Sequence, residues 1–146
     1  MSEIIIFEHT LHKEQWNYLA EHAGMEETRW PGWEEHDRVF SSSFMCEYAY
    51  KRAENTGDKH IDMCTFCPFG MGLHGCVDSI YWQHKVMTSR LVRLLREYLD
   101  EERKPNEIRP DKDYLADIKK LNELLPYMAR FIRDLPLRHD IDIVTR

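Results

Sequence analysis

Apolar residues recur along this chain mostly at helical spacing, framed by two short stretches that read as strands. Ile4-Ile5-Ile6-Phe7 is a β-branched and apolar run that predicts a short strand. Thr10 then sits where a helix N-cap belongs, and Trp16, Leu19, Ala20 and Ala23 follow at i, i+3, i+4 and i+7. That stripe predicts a helix over about Leu11 to His22, with Gly24 placed to end it in a left-handed cap. Trp30-Pro31-Gly32-Trp33 breaks the chain next: proline disfavours helix in the residue before it, glycine permits a turn, and two indoles bring apolar area to bury.

From Asp78 to about Glu102 the pattern is helical again, with Tyr81, His84, Met87, Leu91, Leu94, Leu95 and Tyr98 on one face and Lys85, Arg90, Arg93 and Arg96 mostly elsewhere. This is the longest uninterrupted helix predicted. Lys104 to Pro110 is a polar linker with two prolines, and Asp111 is placed to cap a further helix. In it Tyr114, Ile118, Leu121, Leu125, Met128, Ile132 and Leu135 alternate at spacings of four and three. Pro126 interrupts that stripe and makes it a poor coiled coil, so it is read as an internal core and not as a dimer seam. Two long antiparallel helices packed on the first are the expected architecture. Ile141-Asp142-Ile143-Val144 alternates like a strand and is expected to pair with Ile4 to Phe7.

Between the first helix and the long one, Phe40 to Cys76 holds all four cysteines together with Gly57, Pro68, Gly70, Gly72 and Gly75, and its periodicity is limited to a short helix over Met45 to Glu54. A loop-rich segment of this length needs something to fix it inside a compact domain, and a bound metal does so. The spacing is Cys46-x17-Cys64-x2-Cys67-x8-Cys76. Two cysteines separated by two residues can face one ion, Pro68 and Gly70 supply a tight turn whose amides can donate to sulfur, and Cys46 and Cys76 bring the thiolates to the four that tetrahedral zinc requires. A closed shell of four thiolates has no open position for substrate, so its role is to stabilise the fold. An iron-sulfur cluster is the alternative occupant, and His60 and His74 are substitute ligands. The expected fold is therefore mainly α: one domain spanning 1–146, about three main helices, a four-cysteine metal module over about 40–77 inserted between the first and second long helices, and short terminal strands.

Composition and charge narrow the rest. A chain of 146 residues that is 42% hydrophobic can build a core, and no apolar run reaches the roughly 20 residues needed to span a bilayer. The Ile4 to Phe7 run lacks the basic flank and small-residue cleavage site of a secretory signal, which points to a reducing compartment and favours metal ligation over disulfides. The formal charge of −6 is concentrated at the front of the chain, in Glu3, Glu8, Glu14, Glu21, Glu26, Glu27, Glu34, Glu35 and Asp37. Such a surface repels phosphate backbones and argues against nucleic acid as a general partner. Lys85, Arg90, Arg93 and Arg96 motivate a nucleic-acid reading, but Glu97, Asp100, Glu101 and Glu102 follow at once, as on a solvated helix face.

The order Leu11-His12, Trp16 to Leu19, Trp30-Pro31-Gly32-Trp33, Cys46-Glu47-Tyr48-Ala49, Cys64-x2-Cys67-Pro68, Cys76, Tyr81-Trp82 and Ile132-Arg133-Asp134-Leu135-Pro136 resembles a family of small cysteine-containing proteins of bacteriophages and prophages. The resemblance covers most of the chain. Family members carry a first pair of cysteines two residues apart at this position; here Ser43 stands where the extra thiol would lie, which favours a single four-thiolate site. The family has no established activity to carry over.

What the resemblance implies is a phage-encoded accessory protein of the host bacterial cytoplasm. It would bind and modulate an unidentified host protein, for instance in antagonism of an antiviral defence, as a monomer or homodimer. Trp30, Trp33, Arg90 and Arg93 are the candidate binding residues. A nucleic-acid-binding zinc protein and a small-ligand-sequestering protein with an aromatic, basic pocket are the alternatives. No glycine-rich phosphate loop, His-Glu-x-x-His pattern or Gly-x-Ser-x-Gly elbow points to an enzyme.

Overall fold

The computed structural model describes residues 3–33, 43–70, 79–103 and 114–146, with the backbone alone over 100–103. These residues form strand β1 (Ile6–Phe7), helix α1 (His9–Glu21), a 3-10 turn (Glu27–Arg29), helix α2 (Phe44–Asn55), a second 3-10 turn (Met63–Phe66), helix α3 (Ile80–Arg103), helix α4 (Tyr114–Arg133) and strand β2 (Val144–Thr145). The mainly helical expectation holds, and the terminal segments pair at their ends: β1 and β2 form a parallel two-stranded sheet with Ile6 opposite Val144 and Phe7 opposite Thr145, so the second strand starts at the last residue of the expected Ile141 to Val144 run. No helix among the described residues is long and apolar enough to cross a membrane.

One detail of the helices differs from the sequence reading. Helix α1 starts at His9, not near Leu11, and Thr10 lies inside it; Glu8 precedes the helix without a side-chain cap. The orphan amide of Thr10 is instead satisfied by the carbonyl of Arg146, 3.0 Å away, so the end of the chain caps the first helix. Helix α2 matches the expected Met45 to Glu54 segment to within one residue at each end. Ser43 caps it, accepting from the amide of Cys46 at 3.3 Å, and is itself fully buried. Ser43 thus has a structural role of its own. The expected capping by Asp111 and the whole Lys104 to Pro110 linker lie outside the described residues.

Gly24 takes φ +88° just past the end of α1, as the predicted left-handed cap requires. Gly32 answers a different need: a Cβ there would lie 2.5 Å from the Trp30 ring, which folds back over the turn. Trp30 is consequently buried and Trp33 packs against the same group of residues.

Helix α4 packs on both α1 and α3 and carries two apolar groups. In the first, Ala129 and Ile132 meet Phe7, Trp16, Leu19, Tyr48, Cys67 and Tyr81. In the second, Ile118, Leu121 and Leu125 meet Leu91 and Leu94 of α3 and Tyr114. The stripe predicted for α4 is therefore buried within the chain, as an internal core demands. Pro126 lies within the helix, between the two groups.

Two histidines are sealed into this interior. The Nε2 of His12 donates to the Ile132 carbonyl at 3.0 Å, because a carbonyl only accepts, while the buried Nδ1 has no partner among the described residues to accept a second proton. Burial pushes His12 down to about 4, against a smaller upward pull from the Ile132 hydrogen bond. His84 sits edge-on to Trp16 at 4.9 Å and is also lowered to about 4 by burial. Both groups bind a proton more readily in the unfolded chain, where the ordinary value is 6.5. The stability that rests on their neutrality is complete above pH 6.5 and is lost as pH falls toward 4, with a slope approaching about 1.4 kcal/mol per pH unit for each. Denaturant unfolding at pH 7, 6 and 5 should show this loss, and His12→Gln or His84→Gln should each reduce the slope. An unchanged slope in both variants would refute the assignment.

Candidate functional site

Two regions bring together residues with binding chemistry: the cysteine loop and a cleft over α3. In the first, Cys46 lies in the first turn of α2, Cys64 lies within the 3-10 turn Met63–Phe66, and Cys67 ends that turn. The helix and the turn pack on each other. Asp62 caps the turn by accepting from the Cys64 amide at 2.9 Å, and Gly70 closes the loop with φ +70°. The amides of Cys67 and Gly70 donate to the carbonyls of Cys64 and Cys67, at 3.2 and 3.0 Å, so these two are spent on the turn and not on sulfur as the sequence reading supposed.

Arg138 clamps the loop from the other end of the chain. Its amide donates to the Pro68 carbonyl at 2.9 Å and its guanidinium to the carbonyls of Thr65 and Cys67 at 2.8 and 3.4 Å. This cation is held against the loop backbone, with Asp140 as its carboxylate partner. Cys76 and His74 lie outside the described residues. Among the described residues, no group of three or more His, Cys, Asp or Glu is gathered closely enough to hold a metal ion.

The second region is an open cleft of about 1310 Å³ between the Met25–Thr28 segment, α3 and the first turn of α4. Helix α3 supplies most of it because Trp82, Val86, Ser89, Arg90, Arg93 and Glu97 fall at i, i+4, i+7, i+8, i+11 and i+15, a stripe beside the one that builds the core. Its lining also includes His84, Thr88, Leu94 and Tyr114, all buried. The Thr88 hydroxyl has no hydrogen-bond partner among the described residues, although the residue is only 4% exposed. Leaving such a group unsatisfied costs on the order of 1–3 kcal/mol, which makes it a place where a ligand's polar atom is welcome.

The cleft is lined by charge of both signs, and α3 itself carries Glu97 beside its cations. Arg90 and Arg93 are exposed, and neither side chain makes an ion pair or hydrogen bond among the described residues. Lys85 lies over the Tyr81 ring at 5.1 Å. Among the acidic residues, Glu26 and Glu27 come from the Met25–Thr28 segment and Asp117 from α4. Glu27 is buried and turned inward: its carboxylate accepts from the Tyr81 hydroxyl at 3.3 Å, and its carbonyl accepts from the Gln15 amide at 3.1 Å. These bonds hold the acidic wall in place.

Of the four binding residues expected from sequence, the structure brings Arg90 and Arg93 together in the cleft and places Trp30 and Trp33 in the core group instead. The indole that reaches the cleft is Trp82, 40% exposed. It was missed with Thr88 and Tyr114, although a signal existed: a tryptophan and two arginines share one helical stripe, and a threonine interrupts an otherwise apolar face. No family model, curated protein or solved structure matches this chain.

Proposed function

We propose that the chain is a phage-encoded accessory protein that works by binding in the host bacterial cytoplasm, and that what it holds is a small organic anion, taken up in the α3 cleft so that a host process such as antiviral defence is modulated. The observation that carries this reading is the pair Arg90 and Arg93, two guanidiniums one helical turn apart on the lining of a large cleft, with which no side chain among the described residues makes an ion pair or hydrogen bond. Side chains at i and i+3 lie about 5–6 Å apart at Cβ, a spacing from which both forks can reach one phosphate or carboxylate. The exposed indole of Trp82 and the unsatisfied Thr88 hydroxyl add an apolar plate and a polar anchor.

Direct contact with a host protein is a second reading, favoured by a different surface. Leu124, Tyr127 and Phe131 fall at i, i+3 and i+7 on the outer side of α4, where Tyr127 is 69% and Phe131 54% exposed. Large aromatic side chains presented at this spacing are typical anchors of protein interfaces.

The four-thiolate zinc site belongs to the same proposal as its structural support. Cys46, Cys64, Cys67 and Cys76 would hold the ion; α2 and the turn after it bring three of them to neighbouring elements. Zinc with four thiolates carries a net charge of −2, which the nearby Arg138 guanidinium would partly offset. An iron-sulfur cluster would use the same ligands.

Three measurements follow. Calorimetry with inorganic pyrophosphate should show salt-dependent binding that Arg90→Glu/Arg93→Glu weakens by at least about tenfold, both positions being exposed enough for the variant to fold. No binding, or binding indifferent to the double variant, would overturn the anion reading. Elemental analysis should find about one zinc per chain, and Cys67→Ser should lose the metal and lower Tm by roughly 10 °C or more. Iron with visible absorbance would replace zinc by a cluster, and unchanged metal content and Tm in the variant would sink the site. For the second reading, Tyr127→Ser/Phe131→Ser should abolish capture of a host protein that the wild-type chain retains; equal capture by both would remove α4 as the contact surface.

A further inference from the structure

The α3 cleft combines features that a simple anion would not use. Its volume of about 1310 Å³ exceeds the ~300–1,000 Å³ of sites for drug-sized molecules. Its aromatic plate and its cations are also far apart. Trp82 and Arg90 are eight residues apart on one helix, so at 1.5 Å per residue the two lie about 12 Å apart along the axis, and Trp82 and Arg93 about 16 Å. A dinucleotide covers that distance directly, whereas a mononucleotide stacked on the indole reaches the guanidiniums only if the arginine side chains extend back along the helix.

Charge gives a second constraint. The cleft is lined by Lys85, Arg90 and Arg93, but also by Glu26, Glu27, Glu97 and Asp117. With Glu27 bonded to Tyr81, Glu26 and Asp117 still line the same cleft from other elements than the arginines. These carboxylates weaken the hold of the arginines on a bare polyanion such as pyrophosphate, which should bind only loosely. A ligand that is anionic in one part and rich in N–H donors in another suits both walls, because an ionised carboxylate only accepts hydrogen bonds. Amino-bearing bases present such donors along an edge, and their faces stack on indole. Thr88, buried and without a partner among the described residues, lies in the lining as a further donor and acceptor for a ring edge or a sugar hydroxyl.

We infer that the cleft binds a dinucleotide with amino-bearing bases: one base stacked on Trp82, the phosphates between Arg90 and Arg93, and base N–H groups directed at Glu26 and Asp117. The inference rests on the small-anion reading above and specifies its ligand. It assigns Trp82 a recognition role and makes the acidic wall part of the site.

The test is calorimetry on the full chain with linear 5′-phosphorylated diadenosine and diguanosine dinucleotides, the corresponding diuridine dinucleotide, AMP and inorganic pyrophosphate, with Trp82 fluorescence recorded in parallel. At least one of the two purine dinucleotides should bind about 100-fold more tightly than pyrophosphate, and more tightly than AMP and the diuridine form. Trp82→Ala should cost that ligand about tenfold, within the range of a base–aromatic stack, and leave pyrophosphate binding unchanged. Arg90→Glu/Arg93→Glu should weaken both. Pyrophosphate binding that matches the dinucleotides and ignores Trp82→Ala would overturn the dinucleotide assignment while sparing the anion site. Failure of every probe would overturn both. As Trp82 is 40% exposed, its loss should leave Tm nearly unchanged, so an effect on binding is separable from unfolding.

Discussion

The return of the chain's last residues across the cysteine loop and the first helix is the constraint on which the rest of the structure depends. Arg138 satisfies the carbonyls of Thr65, Cys67 and Pro68; Arg52 of α2 donates to the Asp142 carbonyl at 2.9 Å; β2 pairs with β1; and the amide and carbonyl of Arg146 bond Phe7 and Thr10 at 3.0 Å each. The side chains of Arg146 and Glu8 add an ion pair. Loop backbone cannot be buried with its polar groups unmet. Here one extended segment meets those of the loop, of β1 and of the start of α1, and so joins pieces of the chain that share little regular structure.

Against that strap the helices divide the interior between two apolar groups, and α4 is the element that belongs to both. A proline inside a helix removes one backbone bond and costs about 3 kcal/mol or more in an unconstrained helix. Pro126 falls after Leu125, the last buried residue of the group shared with α3, and before Ala129, which enters the group shared with α1. The break in the ladder thus coincides with a change of packing partner, where a regular helix is needed least. Burial of Leu125 and Ile132, both fully enclosed, on either side of it contributes on the order of 1.5–3 kcal/mol each.

What could be read from residues follows the same physics. Helices α1, α3 and α4 were legible because their stripes are long and regular, and the alternation at Ile141 to Val144 betrayed β2. The true start of α1 was hidden, since its cap is a carbonyl 136 positions away and leaves no local mark. Helix α2 was legible in extent but not in burial, which no clean stripe marks: Phe44, Met45, Tyr48 and Ala49 are buried, and so is the charged Glu47. Trp30 and Trp33 show the limit of composition, for an indole offers as much to a core as to a ligand, and the Gly32 contact with the Trp30 ring decides for the core. Arg90 and Arg93 could be picked out as cations, but the acidic wall could not, because the Met25–Thr28 segment is held by the distant side chains of Gln15 and Tyr81.

That last dependence couples the two candidate regions. Tyr81, whose hydroxyl fixes the carboxylate of Glu27, is a member of the same apolar group as Cys67, and Trp16 bridges it to His84 of the cleft, with ring centroids 6.0 Å from Tyr81 and 4.9 Å from His84. Gln15, which holds the Glu27 carbonyl, precedes Trp16 on α1. The cysteine loop and the acidic segment are thus joined by packed side chains and two hydrogen bonds, whereas Arg90 and Arg93 are exposed on α3. The two walls should differ in sensitivity: the arginine side keeps its charge as long as α3 is helical, while the acidic side keeps its position only while the group around Trp16 stays packed.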